Sequence, residues 1–322
     1  GSIRALTDLP PRARFRPAFT MASSTSHSQR ATVFIAASET DSNLYYATKF
    51  IAPDPFIYLE IKGERILVMS DLEMDRAKSQ SSVDRVLSYS EVEGRAKTQG
   101  IAEPGTVEVV HILLREAGIT QILVPANFAF GHALKFQSLG YQLYPKRDPF
   151  YEERVVKTAE EVRYIEAAQR ATEQAVVVAH DMLRQASIEK DQLWFDGIPL
   201  TSERVKKLIN VTLMECDCVA QHTIVAGGEQ ACDPHNEGSG PLPSHRSIIF
   251  DVFPRSATDR YFADMSRTVV RGTPSPELKR LYQTVLDAQE EAITKVKDGA
   301  DGKRIHQGIL TRFEKAGYKT GL

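Results

Sequence analysis

Hydrophobic and polar positions divide the chain into two differently patterned halves. From Ala31 to about Glu152, short apolar runs of strand length alternate with longer runs of helical period. TVFIA (32–36) predicts a strand, and PFIYLEI-KGE-RILVMS (55–70) predicts a hairpin with Gly63 in its turn. VEVVHILLREAG (107–118) predicts an amphipathic helix that stops at Gly118, followed by the strand QILVP (121–125). A second helix-like run, NFAFGHALKFQSLG, leads into the strand YQLYP (141–145). This is the pattern of a small α/β domain.

The polar, Pro-containing stretch 145–158 (PKRDPFYEERVVKT) reads as a connection, and a long helix follows it. Thr158 and Glu161 form a T-x-x-E capping box, with Val162, Ile165, Ala168 and Ala175 on one side of the helix. Another helix is expected over 202–218 (SERVKKLINVTLMECDC). The pattern then turns β-rich, with HTIVAGG (222–228), SIIFDVFP (247–254) and RYFADMSRTVV (260–270) as strands. Ser275-Pro276 opens a helix whose apolar side carries Leu278, Leu281, Tyr282, Val285, Ala292 and Val296, and a last helix ends at Gly317. The expected domains are therefore a leader or tag at 1–29, an N-terminal domain at 30–152 and a second domain at 153–322.

Composition changes this picture little. At 322 residues, 42% hydrophobic and 25% charged, the chain has the make-up of a two-domain globular protein. A net charge of −2 gives no electrostatic reason to expect nucleic acid or an anionic membrane surface as a partner. No apolar run approaches the ~18 residues of a membrane span. Cys216, Cys218 and Cys232 are odd in number and lack the spacing of a structural zinc site, so reduced thiols in a cytoplasmic protein are expected. Residues 1–29 hold arginines, prolines and MASSTSHSQ without apolar periodicity, which suggests a disordered leader with Met21 as the natural start.

The candidate chemistry lies between Ser247 and Thr268. Asp251 interrupts an otherwise apolar strand, and Asp264 sits in a similar setting on the next one. A carboxylate so placed is costly unless it is paired or holds a metal. Each could instead cap a turn or pair with a basic neighbour such as Arg267, but two on adjacent antiparallel strands favour a hard divalent cation. Upstream, the loop GGEQACDPHNEGS (227–239) presents His235 after Pro234, suited to substrate binding or proton transfer near neutral pH.

The segment from Thr223 to Ile293 resembles the creatinase, prolidase and aminopeptidase P superfamily, the pita-bread metallopeptidases. The matching positions are the Pro-His ending at His235, the strand Asp251, the second Asp264, and Ser266-Arg267-Thr268. KVKDGADGKRIHQGI resembles the family's turn and following helix. NLYYATKF (43–50), DLEMDRA (71–77) and VVKTAEEVRYIEAAQRAT extend the likeness upstream, over nearly all of residues 31–322.

The resemblance implies an α/β creatinase-like N-terminal domain and an α+β pita-bread catalytic domain. It implies hydrolysis of Xaa-Pro bonds, in dipeptides or at peptide N-termini, through a metal-bridged hydroxide. The cofactors would be two divalent ions, Mn²⁺ first, with Co²⁺ or Zn²⁺ as alternatives. Asp251 would bind one ion, Asp264 would bridge both, and His235 would serve the substrate as a catalytic residue. The partner would be a peptide, and a homodimer is expected from the family. Two departures qualify the match. Asp251 and Asp264 are thirteen residues apart, about two more than the commoner family spacing, with the excess in the turn PRSATDR. The family's remaining ligands, a His in an H-x-x-G-H-type run and two glutamates, would follow KAGYKTGL, where the sequence stops. His306 and Glu314, on a predicted helix, do not replace them. The expectation is a catalytic domain with its C-terminal part missing, inactive on its own. A catalytically dead pita-bread module that binds peptides or proteins, or a creatinase-like metal-free hydrolase, are the alternative readings.

Overall fold

The structure, a computed structural model, describes residues 30–319, so the leader expected at 1–29 lies outside the described residues. The chain divides into two compact units between Val155 and Val156. In the first unit the elements run β1 (Arg30–Ala36), α1 (Ser42–Thr48), β2 (Phe56–Ile61), β3 (Glu64–Met69), α2 (Met74–Gln80), β4 (Arg85–Ser88), α3 (Tyr89–Thr98), α4 (Thr106–Glu116), β5 (Gln121–Pro125), α5 (Phe130–Ser138) and β6 (Gln142–Lys146). One six-stranded sheet has the order β4-β3-β2-β1-β5-β6, in which only β2 runs against the others.

Strand alternation buries this sheet on both sides. Val33, Ile57, Leu59 and Val68 point into one core with α4, while Phe34, Tyr58, Leu67 and Phe150 fill the other. This explains why its strands read as near-continuous apolar runs. The β2–β3 hairpin turns on Lys62-Gly63, both at positive φ (54° and 85°), as a two-residue turn matching strand twist requires.

The second unit runs α6 (Ala159–Gln185), β7 (Ser187–Glu189), β8 (Gln192–Phe195), β9 (Ile198–Pro199), α7 (Ser202–Glu215), β10 (Cys218–Val219), β11 (Ile224–Gly227), β12 (Ile248–Val252), β13 (Arg255–Ser256), β14 (Met265–Val269), α8 (Pro276–Lys295) and α9 (Gly302–Lys315). α6 begins at the expected capping box: Thr158 Oγ1 accepts from Glu161 N, and Glu161 Oε2 accepts from Thr158 N. α6 and α7 pack on one face of the antiparallel sheet β11-β12-β14, where Ala175, Ala179, Val205, Ile209, Phe250 and Val252 form the core.

Three elements differ from the sequence reading. The helix expected to reach Cys218 ends at Glu215, because Cys216 caps it and Asp217 takes a positive φ of 55° that turns the chain into β10. The stretch 187–199 forms a three-stranded antiparallel sheet that the sequence reading left unassigned. On α8 only Ala288 is buried; the apolar side expected there is largely uncovered among the described residues, with Val285 47% and Val296 70% exposed.

Candidate metal centre

β12 and β14 form one hairpin whose register stays constant from base to tip. Asp251 pairs with Ser266 and Val252 with Met265. Ala263 N donates to Pro254 O (3.1 Å), Arg255 bridges to Phe262, and Ser256 N donates to Tyr261 O (2.9 Å). The same register therefore carries on past the ends of β12 and β14 to the bridge between Arg255 and Phe262, and the extra residues between the two aspartates lengthen the tip. Because they extend both arms together, they leave the facing of every side chain below them unchanged.

The period-2 alternation assigns the two faces. Ile248, Phe250 and Val252 are buried toward α6 and α7, while Ile249 and Asp251 between them are only partly covered. By the same alternation, in which Ala263 and Met265 are buried and Asp264 and Ser266 exposed, Asp251, Ser266 and Asp264 share the open face, with Asp264 just before β14 and two positions from Ser266. Such diagonal pairs lie about 7 Å apart at Cα, within joint reach of one small ion cluster. Ser266 Oγ donates to Asp251 Oδ1 (2.7 Å), the close approach expected of a directly opposed pair that exchanges no backbone bonds.

The electrostatics fit a cation. Neither aspartate makes an ion pair with lysine or arginine among the described residues; Arg267, the basic neighbour, instead donates to its adjacent carbonyl, Ser266 O (2.8 Å). Partial burial of its carboxyl and the charge of Asp251 together push the pKa of Asp264 up. Two oxygen-donor groups on one face, neither in an ion pair with a basic side chain among the described residues, have the chemistry of a hard-cation site. They supply only part of one. Among the described residues no group of three or more His, Cys, Asp or Glu could hold a metal ion.

His235 is not brought into that set. It is exposed in a turn where its N–H donates to Asp233 Oδ1 (3.0 Å), and the loop is clamped to β11 by Val225 N donating to Glu237 O (3.1 Å). Gly238 makes this close approach: at φ +77° a Cβ there would lie 1.9 Å from Val225 O. The loop thus lies along β11, whose Ile224 pairs with Asp251 on β12. His306 and Glu314 are exposed on α9, and the three cysteines are free thiols.

The sequence reading missed how the hairpin tip is held. Tyr261 OH donates to Glu161 Oε1 (2.7 Å), the buried capping carboxylate of α6, and its ring lies 5.4 Å from that of Tyr164. Ala257 N donates to Asp217 O (2.8 Å), and β10 pairs with β13. The capping box was visible in the sequence, but its second use, 100 residues away, had no local signal.

Comparison with known proteins agrees with this architecture. Residues 163–322 match the model of metallopeptidase family M24. An uncharacterised peptidase of Staphylococcus saprophyticus is 24% identical over 286 residues, covering 87% of this chain and 74% of its own. The Xaa-Pro dipeptidase of Pyrococcus furiosus is 25% identical over 166 residues, and there the match spans 51% of this chain and 44% of the relative. Among solved structures, the prolidase of Pyrococcus furiosus superposes with a TM-score of 0.70 at 19% identity. The X-Pro aminopeptidase of Thermotoga maritima gives 0.72 at 20% identity, and each superposition covers 90% of this chain and 76% of the other. No helix among the described residues is long and apolar enough to cross a membrane. Membership of the family implies divalent metal ions, for which the unpaired carboxylates on the β12–β14 hairpin are suitable donors. Over residues 163–322 the chain matches metallopeptidase family M24, and with its relatives and its pita-bread fold it falls in the creatinase, prolidase and aminopeptidase P superfamily.

Proposed function

We propose that the whole protein is a metal-dependent exopeptidase that hydrolyses Xaa-Pro bonds of dipeptides or of peptide N-termini. The observation that carries this reading is the pair of carboxylates, Asp251 and Asp264, on one face of a rigid hairpin with no basic partner. In it Asp251 would hold one of two divalent ions, Mn²⁺ by preference, and Asp264 would help to hold both. Bound there, such ions would supply Lewis-acid chemistry toward a scissile carbonyl and the attacking water. Ser266 holds the Asp251 carboxylate in one orientation through its hydroxyl, and Tyr261 fixes the hairpin tip against α6. His235, on a loop clamped beside β11, contacts the substrate and carries a proton near neutral pH. The same reading takes residues 30–152 as the creatinase-like domain and 153–322 as the catalytic one. It places the enzyme in the cytoplasm, as a homodimer, with a peptide as its partner rather than nucleic acid or membrane.

The test is an Xaa-Pro assay on the product of the complete reading frame, loaded with Mn²⁺ and compared with Asp251→Asn and Asp264→Asn. Each variant is expected to lose at least about a hundredfold in kcat/KM, since loss of a ligand exceeds the loss from an outer partner. Full activity in both variants would sink the reading. A second reading, a catalytically inactive peptide-binding module, draws on the lack of a third ligand near the pair among the described residues. Calorimetry separates the two: two tightly bound Mn²⁺ favour the peptidase, none favours the module.

A further inference from the structure

The open face of the hairpin continues past the aspartates. Asp264 and Phe262 are two residues apart just before β14, and burial alternates through them, with Ala263 and Met265 buried and Phe262 and Asp264 exposed, so the two side chains stand on the same face about 7 Å apart at Cα. Phe262 bridges to Arg255, and Arg255 pairs on its other side with Val219 of β10. Val219, Arg255 and Phe262 therefore form a row across three strands, one rung beyond Phe253 and Asp264. Phe262 is 58% exposed and Val219 43% exposed.

A single exposed aromatic is ordinary on a protein surface. Here its position and surroundings set it apart. Phe262 belongs to none of the packed apolar clusters and stacks on no other ring among the described residues. Its backbone is nevertheless held firmly, because the ladder brackets it with Ala263 N to Pro254 O and Ser256 N to Tyr261 O. The neighbouring Tyr261 is tied to α6 through Glu161. Phe262 is thus an apolar surface of fixed position, open to solvent, beside the carboxylates.

We infer that Phe262, with Val219 at the other end of the row, is a specificity-determining contact that receives the apolar or ring-bearing side chain flanking the scissile bond. This rests on the peptidase reading and adds the residue that selects the substrate. A flat aromatic face suits a proline ring or a small aliphatic side chain, and gives nothing to a charged one. The side chains flanking a peptide bond start on the Cα atoms bonded to its carbon and nitrogen, so a bond held above Asp251 and Asp264 brings one of them within reach of a ring that stands about 7 Å from Asp264 at Cα.

The experiment compares wild type, Phe262→Ala, Phe262→Tyr and the exposed control Ile293→Ala, with Ala-Pro and Ala-Ser as substrates of the Mn²⁺-loaded protein. Phe262→Ala is expected to raise KM for Ala-Pro about five- to tenfold with kcat within about twofold, as for one lost aromatic contact. Ala-Ser should change less, and Phe262→Tyr should restore the wild-type KM. An unchanged KM in Phe262→Ala, with the wild type cleaving Ala-Pro, overturns the inference and leaves the peptidase reading intact. A second measurement is independent of turnover: saturation-transfer NMR of Ala-Pro on the metal-chelated protein. Transfer to the proline ring protons should be present in wild type and lost in Phe262→Ala. If the wild type cleaves nothing but shows this loss, the contact stands and the catalytic reading fails. If it neither cleaves nor shows transfer, both fall.

Discussion

The β2–β3 and β12–β14 hairpins are built from similar apolar sequence and put it to opposite ends. In β2–β3 both faces are closed, with Leu59 in one core and Leu67 in the other. A two-residue turn ends the arms, and no face remains for a ligand. In β12–β14 only the face carrying Ile248, Phe250 and Val252 is closed. The other presents two carboxylates, a serine and an exposed phenylalanine. The difference shows where chemistry can sit: a sheet covered on one side provides rigidity from its buried face and reactivity on its open one.

Substitutions along the two hairpins should break or sharpen that contrast, and the largest effects come from the closed faces. Phe250→Ala is expected to cost about 3–5 kcal/mol, and Leu59→Ala and Leu67→Ala about 2–5 kcal/mol each, because all three are fully buried. Asp251→Asn, one residue from Phe250, should stay within about 0.5 kcal/mol of the wild type in the absence of metal. Urea denaturation with a chelator present measures all four. A loss for Asp251→Asn comparable to that of Phe250→Ala would mean that the carboxylate holds the fold together, and the open face would lose its functional meaning.

A smaller effect tests how the open face is kept in place. Tyr261→Phe removes the hydroxyl that donates to the Glu161 carboxylate. The expected cost is about 1.5–3 kcal/mol, as for a hydrogen bond to a charged group. The same change should weaken Mn²⁺ binding measured by calorimetry, because the tip and Asp264 share one ladder. A stability loss with unchanged metal affinity would show that the tip and the carboxylates are mechanically separate. No counterpart exists for β2–β3, whose Lys62-Gly63 turn needs no outside support.

These two hairpins also show what the sequence made legible. The arms of both, the Gly63 turn, the capping box of α6 and the placement of Asp251 and Asp264 on neighbouring strands followed from local patterns, which depend on residues within a few positions. The contact from Tyr261 to Glu161 did not, because it joins elements 100 residues apart that share no periodicity. The small sheet at 187–199 was missed for a different reason. Its strands are only two to four residues long, below the length at which alternation can be seen. Yet Asp196-Gly197, both at positive φ, is a strong hairpin dipeptide between β8 and β9 and could have been read. For the candidate centre, residue types and strand phase were legible. The course of the loop that carries His235 was not, since it depends on how the chain after β11 folds back against Val225.

The smallest effects come from two carboxylates placed at the ends of these hairpins. Asp71, just past β3, is exposed and accepts from the hydroxyls of Ser88 and of Ser90 (2.6 Å), which hold its pKa below the usual carboxylate value. Asp264, just before β14, has its pKa pushed up by partial burial and by the charge of Asp251. Linkage gives the two groups opposite signs. Asp71 binds a proton less readily in the folded chain, so its contribution is present above its unfolded pKa and lost as pH falls through its folded one. Asp264 binds a proton more readily when folded, so its contribution is present below its unfolded pKa and lost as pH rises through its folded one. In metal-free protein at neutral pH, Asp71→Asn should therefore lower Tm and Asp264→Asn should raise it, each by about 1–2 °C. Both differences should shrink toward zero as the pH is taken down to about 3, below the ordinary carboxylate range. Melting curves of the two variants from pH 7 to pH 3, with a chelator present, provide the measurement. Equal signs at pH 7 would mean that Asp264 is stabilised by a neighbour as Asp71 is, and would remove the electrostatic case for a cation at the open face. Opposite signs that vanish in acid would show that the fold carries an unrelieved repulsion at Asp251 and Asp264, which a bound divalent ion would relieve.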